Sequence, residues 1–434
     1  MQEHITNKLI LSENVVYTCQ NSGDCCRNDW LIGVDTVSYA KLNDIDWGKY
    51  DTKLAQGEKF IKLDTPLPSG EKFTLVRNTC GECVFLTGDN KCSIHNHLGY
   101  KEKPQVCKEF PYCFVETPDG IAVGLSFACY AVRNHKGKSL PEQKTEIFKV
   151  LEGSYRVRKI PDPIVLISGM DISWQEYKWI EEGLLNIFNQ TEFSFPMALI
   201  AGSIFNSVCI SLKQVEDAAR KENQTPQETL QGGLDKLKQD GYRRIFAIAA
   251  NLHYPRYATL TPLAPFYTWL QFSKKRIPRF NLVFNLYRNY FKFYKGRGVL
   301  PDFITDKAPF DIAKIKNIRF MTKSTDIDNF LREYWTHVLF RKTLIPMHGV
   351  FRGYQTMLVL YGFMKWAAKL QAYHNGRKQA DLEDIQDAVR LIEQRFILHA
   401  QFANIFVLSP VLTVMADRLY LHPKFVPSVV LEPQ

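Results

Sequence analysis

The chemistry in this chain is concentrated in its cysteines. There are ten, and nine of them (Cys19, Cys25, Cys26, Cys80, Cys83, Cys92, Cys107, Cys113 and Cys129) fall in the first 129 residues. The run reads Cys19-x5-Cys25-Cys26, then 53 residues, then Cys80-x2-Cys83-x8-Cys92-x14-Cys107-x5-Cys113-x15-Cys129. Thiolates are soft ligands that suit zinc and iron–sulfur clusters. Four in a tetrahedral array close a structural zinc site, and four also hold a [4Fe–4S] or [2Fe–2S] cluster. All nine are candidate metal ligands, enough for one four-thiolate site with spares or for two sites. His95 and His97, just after Cys92, are able to replace a thiolate in a zinc site. Two other readings are buried free thiols, since cysteine is among the most buried residue types, and a disulfide framework. Nine cysteines in so short a stretch, with one adjacent pair and one CxxC, exceed what packing requires. The spacing leaves zinc and iron open. No C-x3-C-x2-C run is present, so radical S-adenosylmethionine chemistry has no motif here.

Compartment bears on the choice. The opening Met1-Gln2-Glu3-His4-Ile5-Thr6 has no basic region and no apolar run after it, so no secretory signal is expected. The expected location is the cytoplasm, where clustered thiols bind metal or do redox chemistry more often than they form disulfides.

The elements that position these thiols read as short strands. Val15-Val16-Tyr17-Thr18, Trp30-Leu31-Ile32-Gly33-Val34, Phe73-Thr74-Leu75-Val76 and the run from Ile121 to Phe127 are β-branched or aromatic and bounded by turn residues. The expected class is α+β: a small cysteine-rich α+β module over residues 1–135, followed by a larger, mainly α-helical region over 136–434. His135 to Pro141 reads as a linker or surface loop. Beyond it Ser173-Trp174-Gln175-Glu176 is a capping box, with Trp179, Ile180, Leu184, Ile187 and Phe188 at helical spacing. Thr225-Pro226-Gln227-Glu228 has the same form. Further helices are expected at about 196–221, 228–252, 326–342, 353–374 and 381–400. The length of 434 residues, with 45% hydrophobic and 23% charged residues, excludes a disordered chain, a collagen and a coiled-coil rod. The longest apolar stretches, 197–212 and 402–416, fall short of the ~20 residues of a membrane span, so no span is expected.

With these residues in place, the N-terminal pattern resembles a known family. Cys19-Gln20-Asn21-Ser22-Gly23-Asp24-Cys25-Cys26 is similar to the CxxCxxCC signature of a zinc- or iron-chelating cysteine-cluster family, with Ser22 where the second cysteine belongs. Trp30 to Asp35, Cys83-Val84-Phe85-Leu86, Lys91-Cys92-Ser93-Ile94-His95, Leu98-Gly99, Cys107-Lys108-Glu109-Phe110-Pro111 and Leu125-Ser126-Phe127-Ala128-Cys129 extend the likeness. The longer pattern is most similar to the flagellin lysine N-methylase branch. Over residues 15–130 the resemblance implies Cys19, Cys25, Cys26, Cys83, Cys92, Cys107 and Cys129 as ligands, with Cys80 and Cys113 outside the matched pattern. It further implies methyl transfer from S-adenosylmethionine to a protein lysine, with an iron–sulfur cluster or zinc nearby. The residues themselves name no catalytic group. They show no GxGxxG loop between a strand and a helix, and Gly232-Gly233 reads as a kink or break in a helix. The alternative function is a non-catalytic zinc-binding structural or interaction protein.

The second region carries one charge anomaly. Residues 241–301 contain eleven Lys or Arg and no Asp or Glu, against a net charge of +10 for the whole chain. Phe272, Phe280, Phe284, Tyr287, Tyr290, Phe291, Phe293 and Tyr294 are interleaved with the cations. Three readings stand: a solvated basic helix with an aromatic core face, a docking surface for an acidic protein substrate, and nucleic-acid binding by charge and stacking. Aromatics at helical spacing mostly pack, which favours the first and leaves nucleic acid last. His337, His348, His374 and His399 read as partly exposed or core histidines, Trp335 and Trp366 as core, and Cys209 as an inert buried thiol.

Overall fold

The computed structural model describes residues 8–432 except 28–29, 68, 80, 155, 256–259, 276–278, 306, 321–323, 348, 399–421 and 423. Cys80, His348, His399 and the apolar stretch 402–416 therefore lie outside the described residues. The chain divides into two compact units, Met1–Lys159 and Ile160–Gln434. The architecture is α+β, with a strand-rich first unit and a helical second.

The first unit is a set of short elements joined by turns. One sheet takes the order β1-β7-β6-β9, from β1 (Leu9–Leu11), β6 (Tyr112–Thr117), β7 (Gly120–Leu125) and β9 (Arg158–Lys159). Strands β6 and β7 form an antiparallel hairpin from Tyr112↔Leu125 to Thr117↔Gly120. Its turn is the expected Pro118-Asp119-Gly120. Gly120 sits at φ 136°, and a Cβ there would fall 2.4 Å from the Lys8 carbonyl oxygen, so only glycine fits. A second sheet, β3-β5-β4, joins β3 (Gly33–Val34), β5 (Phe73–Leu75) and β4 (Phe60–Lys62). It packs into a core of Ile32, Val34, Leu42, Trp47, Leu54, Phe60, Leu75, Phe85 and Ile94.

Residues 135–141 are tied to this unit. Within them β8 (Lys138–Ser139) pairs antiparallel with β2 (Val16–Tyr17), and Gln143 Nε2 donates to the Tyr17 carbonyl at 2.8 Å. The unit then takes in α6 (Lys144–Glu152), whose Ile147, Val150 and Leu151 are buried, before it ends at Lys159.

The second unit is built on α15 (Val350–His374), whose residues are buried almost without exception, as expected of a helix apolar all round. Helix α8 (Phe195–Lys221) meets it through close approaches. Tyr354 Oη donates to the Leu199 carbonyl at 2.9 Å, and Gln355 Nε2 donates to Ser203 Oγ at 2.8 Å. By length and composition α8 is long and apolar enough to cross a membrane, a test that a buried core helix also passes. The share of its most apolar 18-residue window buried inside the unit is 61%.

Helix α7 (Trp174–Phe188) starts at the expected capping box of Ser173 and Glu176. The second expected box does not form. Helix α9 (Leu230–Gln239) is capped by Thr229 instead, and Glu216 of α8 accepts from the Leu230 N–H at 2.9 Å. Gly232 and Gly233 belong to the first turns of α9. Neither breaks the helix, and Gly233 leaves room for Leu212, which would stand 2.4 Å from a Cβ there. The break comes later, at Gly241 and Tyr242 with φ 60° and 57°, before α10 (Arg243–Ala250). Trp335 and Trp366 are core. His337 stacks on Phe340, and His374 Nε2 lies 3.0 Å from Asp302.

Candidate metal centre

The thiols of the first unit come from separate stretches of chain. Cys19 follows β2. Cys25 and Cys26 occupy the single turn of α1 (Asp24–Arg27). Cys83 is buried at the edge of the core, and Cys26, Cys92 and Cys107 pack against that core. Cys92 is the N-cap of α3 (Ser93–Leu98), Cys107 lies in α4 (Gln105–Glu109), and Cys129 is the N-cap of α5 (Tyr130–Arg133).

The Cys25 and Cys26 sulfurs are 3.9 Å apart. A zinc–sulfur bond of about 2.3 Å in a tetrahedron sets ligand sulfurs about 3.8 Å apart, so this pair already stands at a ligand-to-ligand separation. Cys83 lies within electrostatic reach of Cys26. Cys92 and Cys107 lie within electrostatic reach of Cys25, and so does Cys129. Among the described residues, no group of three or more His, Cys, Asp or Glu side chains stands ready to hold a metal ion. The thiols are gathered into one region and not closed into a ligating set.

Backbone contacts hold the stretches together. The Cys83 N–H donates to the Cys26 carbonyl at 2.8 Å. Arg77 Nη1 donates to the same carbonyl at 3.1 Å, while its Nη2 donates to the Trp30 carbonyl at 2.9 Å. On the far side Arg133 Nη1 donates to the Phe127 and Ala128 carbonyls, and its Nη2 reaches Asp24 at 3.0 Å. Residues before and after the cysteines thus fix where the cysteines sit.

Burial keeps the thiols protonated. It pushes Cys107 and Cys129 up to about 12. Cys92 is raised by the same cause, against hydrogen bonds from the His95 and Ile94 backbone N–H groups that favour its thiolate. Cys25 is raised through its hydrogen bond to Cys26 and through burial. For Cys26 the bond to Cys25 acts downward, but the neighbouring Cys83 and burial outweigh it. Arg77 acts on Cys107 and Arg133 on Cys129, and Lys103 faces several of the sulfurs. Burial alone would lower the Lys103 ammonium, but the sulfurs of Cys107, Cys92, Cys25 and Cys19, once ionised, hold it above its ordinary value. Its Nζ lies 5.6 Å from the Tyr100 ring centroid.

The remaining candidates make other contacts. Cys113 lies on β6, its sulfur 3.9 Å from the Pro111 carbonyl oxygen. The His97 ring stacks on Tyr50 at 4.6 Å, and His95 meets Tyr100 edge-on at 5.9 Å. Cys209 is fully buried in α8 of the second unit. Reading the cysteines alone missed Arg77, Lys103 and Arg133. Two of these had a signal in the spacing, since Lys103 precedes Cys107 by four residues and Arg133 follows Cys129 by four.

Fold and donor set together define the class: a cysteine-rich α+β unit with soft-metal donors. Residues 18–138 match the CxxCxxCC family model, described as a "Putative zinc- or iron-chelating domain". The match takes in the whole thiol group and none of the helical unit. It supports zinc or iron chelation by the cysteine cluster, at the level of the family and not of the flagellin methylase branch. No curated protein and no solved structure matches the chain.

Proposed function

We propose that the first unit holds zinc or an iron–sulfur cluster through thiolates drawn from Cys19, Cys25, Cys26, Cys83, Cys92, Cys107 and Cys129. The observation that carries this is the Cys25–Cys26 sulfur pair at 3.9 Å, with the Cys83 N–H donating to the Cys26 carbonyl at 2.8 Å. Cys80 and Cys113 complete the candidate set. When bound, the metal supplies a cross-link between stretches of chain that otherwise meet through a few hydrogen bonds. The chain's own part is to gather the thiols, release their protons on binding, and set Lys103 against the resulting negative charge.

The finer reading is methyl transfer from S-adenosylmethionine to a protein lysine in the cytoplasm, with an acidic protein substrate drawn to the basic segment 241–301. What supports it is the likeness of the N-terminal residue pattern to flagellin lysine N-methylases and the excess of positive charge. In such a step the neutral lysine amine attacks the sulfonium methyl carbon, the carbon–sulfur bond breaks, S-adenosylhomocysteine leaves, and the amine gives up a proton.

The deciding experiment is metal and acid-labile sulfide analysis, with an absorption spectrum, on protein purified without oxygen. Iron with sulfide supports the cluster, and whole-number zinc without sulfide supports a structural site. Protein that takes up neither ion overturns the metal reading. Titration with S-adenosylmethionine, followed by transfer of labelled methyl to acidic proteins, tests the finer reading. Absence of both binding and transfer in metal-loaded protein overturns it.

A further inference from the structure

Helix α12 (Arg279–Lys295) is packed with its polar face inward. Asn289 is fully buried, and its Nδ2 donates to Thr268 Oγ1 at 2.9 Å and to Gln271 Oε1 at 3.2 Å. Both partners belong to α11 (Ala264–Lys275). Asn285 is buried beside it, and Phe293 is the one aromatic of this helix's described side chains that joins the core, against Tyr267 and Trp366.

The opposite face is aromatic and faces solvent. Val283, Phe284, Tyr287, Tyr290, Phe291 and Tyr294 are 44–68% exposed. Their spacing puts all six on one face, over three turns and about 16 Å of helix. The expected aromatic core face of this segment is therefore corrected for these residues. A water-facing helix arranges its residues the other way round, and an exposed apolar stripe of this extent marks an interaction surface.

We propose that this face docks on an anionic lipid surface. Arg288 and Lys295 border the stripe along one edge at helical spacing, and Arg297 follows the helix end; all three are exposed. Lys292 is engaged with the Val299 carbonyl at 2.7 Å. Residues 241–301 contain eleven cations and no carboxylate of their own, and of these Arg244, away from this helix, pairs with Asp240. A second copy of the chain would bring like charges together on this face. The cations of the segment suit an acidic protein as well, but the six exposed apolar and aromatic side chains at the centre of this face call for an apolar layer beside the negative charge. Single-stranded nucleic acid is held in a basic groove with stacking rings, whereas this is one convex helix face that includes Val283. Phenyl and phenol rings entering the headgroup layer, with cations at phosphate level, match what the face presents.

The test uses the full chain with sedimented vesicles. One set is phosphatidylcholine, and the other carries about 30% phosphatidylglycerol in about 0.1 M salt. The expected result is about tenfold stronger partitioning onto the anionic vesicles. The Tyr287→Ser/Phe291→Ser variant should lose binding to both sets. The Arg288→Gln/Lys295→Gln variant should lose the anionic preference. Circular dichroism and metal content, both unchanged, show that the variants are folded and keep this result separate from the metal reading. Equal, negligible sedimentation with both sets overturns the proposal. So does binding to a labelled single-stranded oligonucleotide or to polyglutamate without binding to vesicles.

Discussion

Asp24 and Arg133 are joined by an ion pair at 3.0 Å, although 109 positions of chain separate them. Asp24 precedes the Cys25-Cys26 pair and Arg133 closes the helix that begins at Cys129. The pair therefore draws the first and last thiol-bearing stretches toward each other. Arg133 is nearly buried, and it also satisfies two carbonyls. Arg133→Met is expected to destabilise the first unit by roughly 2–3 kcal/mol. Urea unfolding followed by near-ultraviolet circular dichroism checks this; a loss within error of zero would show that the pair only decorates the site.

Single thiol substitutions should sort by position. Cys25→Ser and Cys26→Ser are expected to abolish stoichiometric metal retention and to lower stability further once the protein is purified with metal. Cys209→Ser, in the other unit, should change metal content by nothing measurable. Full metal content in a Cys25→Ser protein would remove that residue from the ligand set, and metal loss in Cys209→Ser would overturn its reading as an inert core thiol. Metal analysis by mass spectrometry reads all three.

Metal uptake should depend on pH in a defined sense. Thiols must lose their protons to ligate, and burial holds Cys107 and Cys129 up to about 12 in the metal-free unit. Binding near neutral pH therefore releases protons, and the apparent affinity is expected to rise with pH. Calorimetry in buffers of different ionisation enthalpy counts those protons. The metal-free unit has the opposite slope. Its thiols ionise near 9 when unfolded but only near 12 when folded. Their contribution to stability is intact below about pH 9 and is lost as the pH climbs from about 9 to about 12. A metal-free protein whose stability is flat over that window would contradict the burial of these sulfurs.

Lys103 is the positive charge coupled to the most sulfurs, those of Cys107, Cys92, Cys25 and Cys19. Four thiolates around one divalent ion leave two negative charges, and an ammonium among the sulfurs offsets part of them. Lys103→Met is expected to weaken metal retention by about tenfold, in the range of residues that support ligands without touching the metal. Lys103→Arg should restore most of it. Competition with a chromophoric chelator measures the ratio; an unchanged Met variant would show that the charge is screened.

The cysteine stretches and the long helices were legible in the sequence because each rests on a local rule. Ser173 and Glu176 satisfy each other's backbone within four residues, so that helix start needs no distant partner. Thr225 has the same local form and fails, because Glu216 from another helix engages the Leu230 N–H and fixes the start at Thr229. Strand β6 was not expected. Its register depends on β7 and β9, and the second of these lies beyond the presumed linker. The aromatics of α12 read as core because spacing reports which residues share a face, not which way the face is turned. In the candidate site, the sequence names the sulfurs. Arg77, Lys103 and Arg133 emerge only when chain closure brings carbonyls and charges to them.

That closure also sets a schedule for biosynthesis. Contacts made early in synthesis are local, and those across long separations wait for the chain to arrive. The stretch with Cys25 and Cys26 leaves the ribosome more than a hundred residues before Arg133 can meet Asp24. During that interval its thiols are present without the frame that gathers them. The frame that gathers them is complete only once Arg133 has been made. A ribosome-bound chain halted short of Cys129 would offer metal only loosely held sulfurs, exposed to oxidation and to capture by the wrong ion.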